Sequence, residues 1–532
     1  MMKNLLSFSA AFCALTSACL PVRAEVKSGD GESRTSKKNV LFIAVDDLKP
    51  LLGCYGDSIA KTPNIDRMAA KGTVFTSAYC QQAVSAATRA SLLTGMCPDR
   101  TRVWDLKTLI RSQNPDVVTL PQYFKENGYF VTGIGKIYDP RSVDKQSDAR
   151  SWSGEYMDHS GFVNASFSQP VMAQYQSPEV REQYEKYRKE AHAQGMKKKN
   201  QIEKYIQRKV KPTTECADVP DNAYNDGAIA DGVIRFLSEY KSEKPFFLAV
   251  GFKKPHLPFC APKRYWDLYQ REKMPLATYR QKAVDSPDFA YHKCGELQSY
   301  TDIPSIISFS DIGNVKIPDT KARELIHGYY ACISYIDAQI GKVMDTLEKK
   351  GCLENTIIVL WGDHGWHLGD HGLWNKHTNF EQATHIPYLI VDPSAAARRV
   401  TTPVEFLSIY PTLCDLAGLK VPTGLDGENL ASVIHGKKSE ADIKPYAASQ
   451  YPRVGKMGYS LRDGRYRYTV WLDWKDKKTD TAKILAEELY DYEKDPNETV
   501  NVAVKSEYAG ALKHMRGYWE EYKRERIFRN SK

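Results

Sequence analysis

The sequence predicts an open α/β sheet with helices between its strands, followed by a small α+β subdomain. Three observations lead there. Several runs are apolar on both faces, which suits central parallel strands covered above and below. Each of these runs ends in polar residues, where ligands bind in such sheets. Past about residue 437 the pattern changes to alternating strands and tight turns.

The strands follow in order. Asn39–Val45 is continuous apolar chain and ends in Asp46-Asp47. Pro245–Val250 ends in Gly251-Phe-Lys-Lys-Pro-His256. Thr356–Trp361 ends in Gly362-Asp-His-Gly365, and a helix is expected over Glu324–Lys350 before it. Residues 178–211 are highly charged with helical composition. They read as a solvated surface helix pair, with a basic rim facing a polyanion as the sharper alternative. Tyr459–Trp471 reads as a hairpin turning at Asp463-Gly464, and Lys494-Asp-Pro-Asn497 as a further turn. The domains expected are a catalytic domain over 39–436 and a C-terminal subdomain over 437–532.

Composition narrows the class. The chain has 532 residues, 42% hydrophobic and 26% charged, which excludes disorder for most of its length. No apolar run reaches the roughly 18–20 residues of a spanning helix. The formal net charge of +9 suits anionic ligands, and nothing in it points to nucleic acid. Residues 1–24 read as a secretory signal: Met1-Met-Lys-Asn4, an apolar stretch from Leu5 to Leu20, then Val22-Arg-Ala24. Its removal takes away Lys3, Arg23 and no acid, two charges fewer, hence +7. Ser17-Ala-Cys19 offers the alternative of an outer-membrane lipoprotein acylated at Cys19; otherwise the expected location is periplasmic or secreted. Residues 25–38 are polar and read as a disordered lead-in. Of 11 cysteines the leader holds Cys13 and Cys19, so nine remain and at least one must stay unpaired.

The acids at the strand tips come first chemically. Asp46-Asp47 alone is more often a turn or cap than a ligand pair. Asp363-His364 between glycines is more specific, because glycine permits close backbone approach. Together they supply three carboxylates and one imidazole, a set that suits a hard cation, Ca²⁺ or Mg²⁺. Zinc would call for more histidine.

The decisive segment is Ser85-Ala-Ala-Thr-Arg89-Ala-Ser-Leu-Leu-Thr-Gly95. It resembles the signature of the type I, formylglycine-dependent sulfatases in its serine form. The surroundings resemble iduronate-2-sulfatase-like members. Tyr79-Cys-Gln-Gln-Ala-Val84 precedes the signature; Pro98-Asp-Arg-Thr-Arg102, Leu120–Tyr129 and Gly135-Lys136 follow it. Lys254-Pro-His256, Gly362-Asp-His-Gly-Trp366, Leu368-Gly-Asp-His-Gly372, Trp374-Asn-Lys376 and Tyr490–Glu498 match further blocks, so the likeness runs from about 39 to 505.

The resemblance implies an alkaline-phosphatase-like fold, with a large mixed, mostly parallel sheet flanked by helices and a C-terminal antiparallel sheet. It implies a sulfuric ester hydrolase acting on a sulfated glycan, with 2-O-sulfated uronic acid the nearest suggestion. It implies that Ser85 is oxidised to formylglycine by a radical maturase of bacterial type. The metal site would be Asp46, Asp47, residue 85, Asp363 and His364, with Ca²⁺ expected ahead of Mg²⁺. Arg89, Lys136 and Lys376 would offset the charge of the sulfate and the nucleophile, and His256 would protonate the leaving oxygen.

Three positions depart from the pattern. Residue 85 is Ser rather than Cys. Ala87 and Thr88 replace the usual Pro and Ser. Asp139 stands where the iduronate-type pattern has histidine, and is offered as the base that assists sulfate release or as the mark of a changed pocket. Two other readings stay open: a phosphate or phosphonate ester hydrolase of the same superfamily, and a catalytically silent glycan-binding relative. His367, His371, His377 and His385 read as supporting rather than reacting groups, and Trp366 and Trp374 as core packing. Asn164-Ala-Ser166 and Asn497-Glu-Thr499 match a glycosylation pattern that says little for a bacterial chain.

Overall fold

The computed structural model describes residues 37–144, 147–154, 156, 174–303, 311–314, 316–479 and 481–528. The expected leader, most of the polar lead-in and Asn164-Ala-Ser166 lie outside the described residues. No helix among the described residues is long and apolar enough to cross a membrane.

An eight-stranded mixed sheet forms the centre. In chain order its strands are β1 (Asn39–Val45), β2 (Thr73–Tyr79), β3 (Phe130–Gly135), β4 (Phe246–Phe252), β5 (Thr356–Gly362), β6 (His385–Val391), β7 (Arg398–Val400) and β8 (Val404–Glu405). In space they run β7-β2-β6-β5-β1-β4-β3, with β8 also beside β2. The three strands expected from sequence are β4, β1 and β5. They are adjacent, parallel and central, with Val40 opposite both Phe247 and Ile357. Strand β6 is antiparallel to β5 and β2.

Alternation along β1 explains why its sequence is apolar throughout. Leu41, Ile43 and Val45 enter one core, beneath helices over Asn225–Glu239 and Asp319–Lys349. Val40, Phe42 and Ala44 enter the other, with residues of the helices Ser85–Thr94 and Ile409–Leu416. Each large apolar side chain so buried stabilises the fold by about 1.5–3 kcal/mol.

The charged stretch is a helix pair, Pro178–Ala193 and Lys199–Gln207. It closes over a small apolar cluster of Ala191, Ile202, Ile206 and Val210, with most of its charged side chains outward.

Near the C-terminus a four-stranded antiparallel sheet runs in sequence order, β9 (Ala447–Arg453), β10 (Lys456–Arg462), β11 (Tyr466–Asp473) and β12 (Ile484–Asp491). The expected hairpin is β10–β11. Asp463 Oδ1 closes its turn by accepting from the backbone N–H groups of Arg465 and Tyr466 at 2.8 and 2.6 Å. The helix Ala509–Tyr522 covers this sheet with Met515 and Trp519. The sheet also braces the chain leading to Ser85: Gln450 N donates to Gln81 O at 2.7 Å, and Ser449 Oγ to Cys80 O at 2.6 Å. All nine described cysteines are unpaired.

Candidate active site

The site lies at the carboxyl ends of β1, β4 and β5, where the chain leaves the sheet through Asp46-Asp47, Lys253–His256 and Asp363-His364. Ser85 is the first residue of the helix Ser85–Thr94, all ten of whose residues are buried. Its position presents the hydroxyl at the helix N-terminus, which favours negative charge. The Ser-x-x-x-Arg spacing then has a geometric meaning. Residues i and i+4 share a helix face, so Arg89 stands one turn behind Ser85. At the other end Gly95 takes φ 68°, the left-handed cap conformation that favours glycine.

Ser85 Oγ lies 3.2 Å from Asp46 Oδ1 and 3.1 Å from His364 Nε2. Arg89 is fully buried and makes four hydrogen bonds. Nε donates to Asp363 Oδ2 at 2.9 Å and Nη2 to Asp46 Oδ1 at 3.1 Å. Nη1 donates to the carbonyls of Lys136 and Ile137 at 2.6 and 2.9 Å. The guanidinium also lies over Trp361, 5.3 Å from the ring centre. Thr88 Oγ1 donates to Asp363 O at 2.9 Å, so the threonine of the signature anchors β5's exit.

Lys136 Nζ binds both oxygens of Asp46 at 2.8 and 2.7 Å. Lys376 Nζ binds both oxygens of Asp47 at 3.2 and 3.0 Å and lies over Trp366. Asp47 takes φ 60°, an unusual value for a side-chain-bearing residue. Its backbone is pinned by N–H donation to Asp363 Oδ1 at 2.9 Å and by Tyr329 OH donating to Asp47 O at 2.6 Å.

The electrostatics divide the aspartates. Burial pushes Asp46 up, but the Lys136 and Arg89 charges outweigh it and hold it well below the usual carboxylate range. Burial holds Asp47 well above that range, aided by Asp46, Glu296 and Asp363 against the opposing Lys376. Burial also lowers His364. His364 Nδ1 lies 3.1 Å from Gly365 O, which can only accept, so Nδ1 carries the proton and Nε2 keeps its lone pair. That lone pair faces Asp47 Oδ1 at 3.3 Å and Ser85 Oγ. Ligand atoms of Asp47, Asp363 and His364 lie within 4.8 Å of one another, as do those of Asp46, Asp47 and His256. Three buried carboxylates and an unprotonated nitrogen converging this way fit a hard divalent cation.

His256 Nδ1 lies 2.6 Å from Leu257 O and therefore donates, leaving Nε2 to gain or lose the proton. Nε2 is 3.9 Å from Asp47 Oδ2 and 3.3 Å from Glu296 Oε1. Burial and the Lys376 charge bring His256 down to about 4. Glu296 also pairs with Lys376 at 3.0 Å, and sequence reasoning missed it. It sits in a single helical turn, Gly295–Gln298, with no periodic signal around it.

Lys136, Asp139 and His256 line one cleft of about 290 Å³, together with Arg141, Lys253 and Lys254. Both oxygens of Asp139 are engaged by Arg141, Oδ1 with Nε at 2.8 Å and Oδ2 with Nη2 at 2.7 Å. Burial raises Asp139, but the Arg141 bonds and the Lys136 charge leave it below its ordinary value.

The four other histidines singled out from the sequence, His367, His371, His377 and His385, do not line this cleft. His367 binds Asp370 and Thr378, His371 stacks on Phe380, and His385 lies 2.8 Å from Thr76 O. His377 lies against His292 and Tyr451. Trp366 and Trp374 are buried in the core.

Known proteins resemble this chain over most of its length. Residues 38–419 match the family described as Sulfatase, and residues 369–525 match N-sulphoglucosamine sulphohydrolase, C-terminal. Iduronate 2-sulfatase of Mus musculus is 32% identical over 552 aligned residues, covering 92% of this chain and 95% of that protein. A solved structure described in complex with its substrate D-glucosamine-2-N,6-O-disulfate superimposes with TM-score 0.68 at 21% identity, covering 92% of this chain and 98% of that one. The phosphonate monoester hydrolase of Agrobacterium radiobacter superimposes with TM-score 0.67 at 21% identity, covering 92% and 96%.

Proposed function

The chain belongs to the sulfatase family and is a sulfuric ester hydrolase, and from that premise we propose that it is exported and removes an O-sulfate from a sugar of a sulfated polysaccharide or its oligosaccharides. The extended likeness to iduronate 2-sulfatase makes 2-O-sulfated uronic acids the first substrates to test. The observation that carries the reading is the seat of Ser85, between Asp46 and His364 with Arg89 one turn behind.

In this reading a radical maturase oxidises Ser85 to formylglycine, whose hydrated aldehyde supplies the nucleophilic oxygen. Asp46, Asp47, Asp363, His364 and the oxygen at position 85 would hold Ca²⁺, expected ahead of Mg²⁺, which supplies Lewis-acid charge to the sulfate oxygens.

The chain's own residues do the rest. Arg89 is buried away from solvent and fixes Asp46 and Asp363 in position. Lys136 and Lys376 stand beside Asp46 and Asp47 and offset negative charge gathering there in the transition state. His256 presents Nε2 to the cleft; neutral in the free site, it would take up a proton alongside the anionic substrate and pass it to the departing sugar oxygen. Glu296, 3.3 Å away, is placed to hold the imidazolium this requires. Asp139, offered from sequence as a base, is engaged on both oxygens, and we assign it to orienting Arg141.

Co-expression with a maturase, followed by measured sulfate release from defined sulfated oligosaccharides, tests the reading. Turnover of 4-nitrophenyl sulfate well above that of 4-nitrophenyl phosphate is expected; a clear preference for phosphate overturns it in favour of the phosphate or phosphonate alternative. Sulfate release that stops after one equivalent favours the silent glycan-binding alternative.

A further inference from the structure

Four cations line the cleft beside the reacting centre, and two of them are already spent. Lys136 is bound to Asp46. Lys254 Nζ donates to the carbonyls of His256 and Pro258 at 2.8 and 2.6 Å. The other two differ. Lys253 has no hydrogen bond or ion pair from its ammonium to any described residue, although it is half-buried; burial, aided by Lys136 and Lys254 against the more distant Asp226 and Asp46 charges, brings it down to about 8. Arg141 uses Nε and Nη2 on Asp139, leaving Nη1 without a partner among the described residues and the side chain 55% exposed.

None of the described acids of the cleft pairs directly with the Lys253 ammonium or with Arg141 Nη1. Asp46 is held by Lys136 and Arg89, and Asp139 by Arg141. Asp226 accepts from the backbone N–H groups of Lys253 and Lys254 at 2.6 and 3.1 Å, which fixes that loop; its charge favours the Lys253 ammonium from a distance without forming an ion pair with it. A half-buried ammonium with no direct hydrogen-bond or ion-pair partner is costly, and an arriving anion lowers the cost. Asp139 meanwhile holds Arg141 in a fixed two-bond orientation, ready to present its remaining edge.

We infer that Lys253 and Arg141 form a subsite for a second anionic oxygen group of the substrate, a carboxylate or a sulfate distinct from the ester being cleaved. This rests on the sulfatase reading and names its substrate class as sugars carrying at least two negative groups.

The test compares kcat/KM on four probes within each enzyme preparation. They are 4-nitrophenyl sulfate, a 2-O-sulfated hexuronate disaccharide, its carboxyl methyl ester, and glucosamine 2-N,6-O-disulfate. In Lys253→Met and Arg141→Met, kcat/KM on a doubly charged probe relative to 4-nitrophenyl sulfate should fall by about tenfold or more, mainly through KM, while Lys253→Arg stays near wild type. Loss of the difference on methyl esterification assigns the subsite to carboxylate; a fall on the disulfated hexosamine assigns it to sulfate. Equal loss on all probes, no loss, or a wild type that favours neither doubly charged probe overturns the inference. A wild type that cleaves phosphate esters but no sulfate overturns the sulfatase reading instead, and the inference with it.

Discussion

His364 Nε2 faces Asp47 Oδ1 across 3.3 Å, with the imidazole proton committed on the other side of the ring to Gly365 O. Only a proton kept on Asp47 or a cation between them makes that contact attractive. We therefore expect Ca²⁺ to raise the melting temperature of the protein. The gain corresponds to about 2.7 kcal/mol at a hundredfold excess over the dissociation constant. Chelation should reverse it, Mg²⁺ should restore less, and Asp47→Asn should abolish the shift in differential scanning calorimetry.

Position 85 should lose about 2 Da when the chain is made alongside a maturase, the mass of the two hydrogens removed on oxidation. Peptide mass spectrometry reads this directly. Ser85→Ala should release sulfate at least about 10³-fold more slowly than the modified wild type. An unshifted peptide mass in a fully active enzyme would remove the aldehyde from the mechanism.

Replacing Arg89 by Ala strands Asp46 and Asp363 in a buried site. Removing one partner of a buried pair costs about 3–5 kcal/mol, so thermal unfolding should drop by several degrees or more. Arg89→Lys keeps the charge but cannot reproduce four directed bonds, and should fall between. A melting temperature unchanged in both would contradict the bracing role.

His256 matters in proportion to how poor the leaving group is. A sugar alkoxide needs its proton, whereas 4-nitrophenolate leaves unaided. His256→Gln should lower turnover of a sugar sulfate by about 10²–10⁴-fold and of 4-nitrophenyl sulfate by far less. Equal losses on both would assign the histidine to binding.

The centre of the fold was legible because β1, β4 and β5 are buried on both faces and so must be apolar throughout. Strands β2 and β6 were not read from the sequence: β6 runs antiparallel beside the parallel core, and β2, beyond it, has intermediate positions among buried ones. In the site, Ser85, Arg89 and the two acidic tips could be read because their spacing follows helix and strand geometry. Glu296 could not, since it reaches Lys376 and His256 from an isolated turn. Arg141 lies two residues beyond Asp139, yet no local pattern says that their side chains clasp one another. Lys253 was overshadowed by the adjoining Lys254-Pro-His256.

The helix that begins at Ser85 has no accessible side, and the serine itself is 3% exposed. An enzyme that must enclose that side chain to oxidise it has no access to the finished molecule. On the proposed oxidation of Ser85, the alteration would belong to biogenesis, completed before the surrounding layers close. A maturase supplied to the folded chain is then expected to leave the mass of the residue-85 peptide unshifted, however long the two are incubated together.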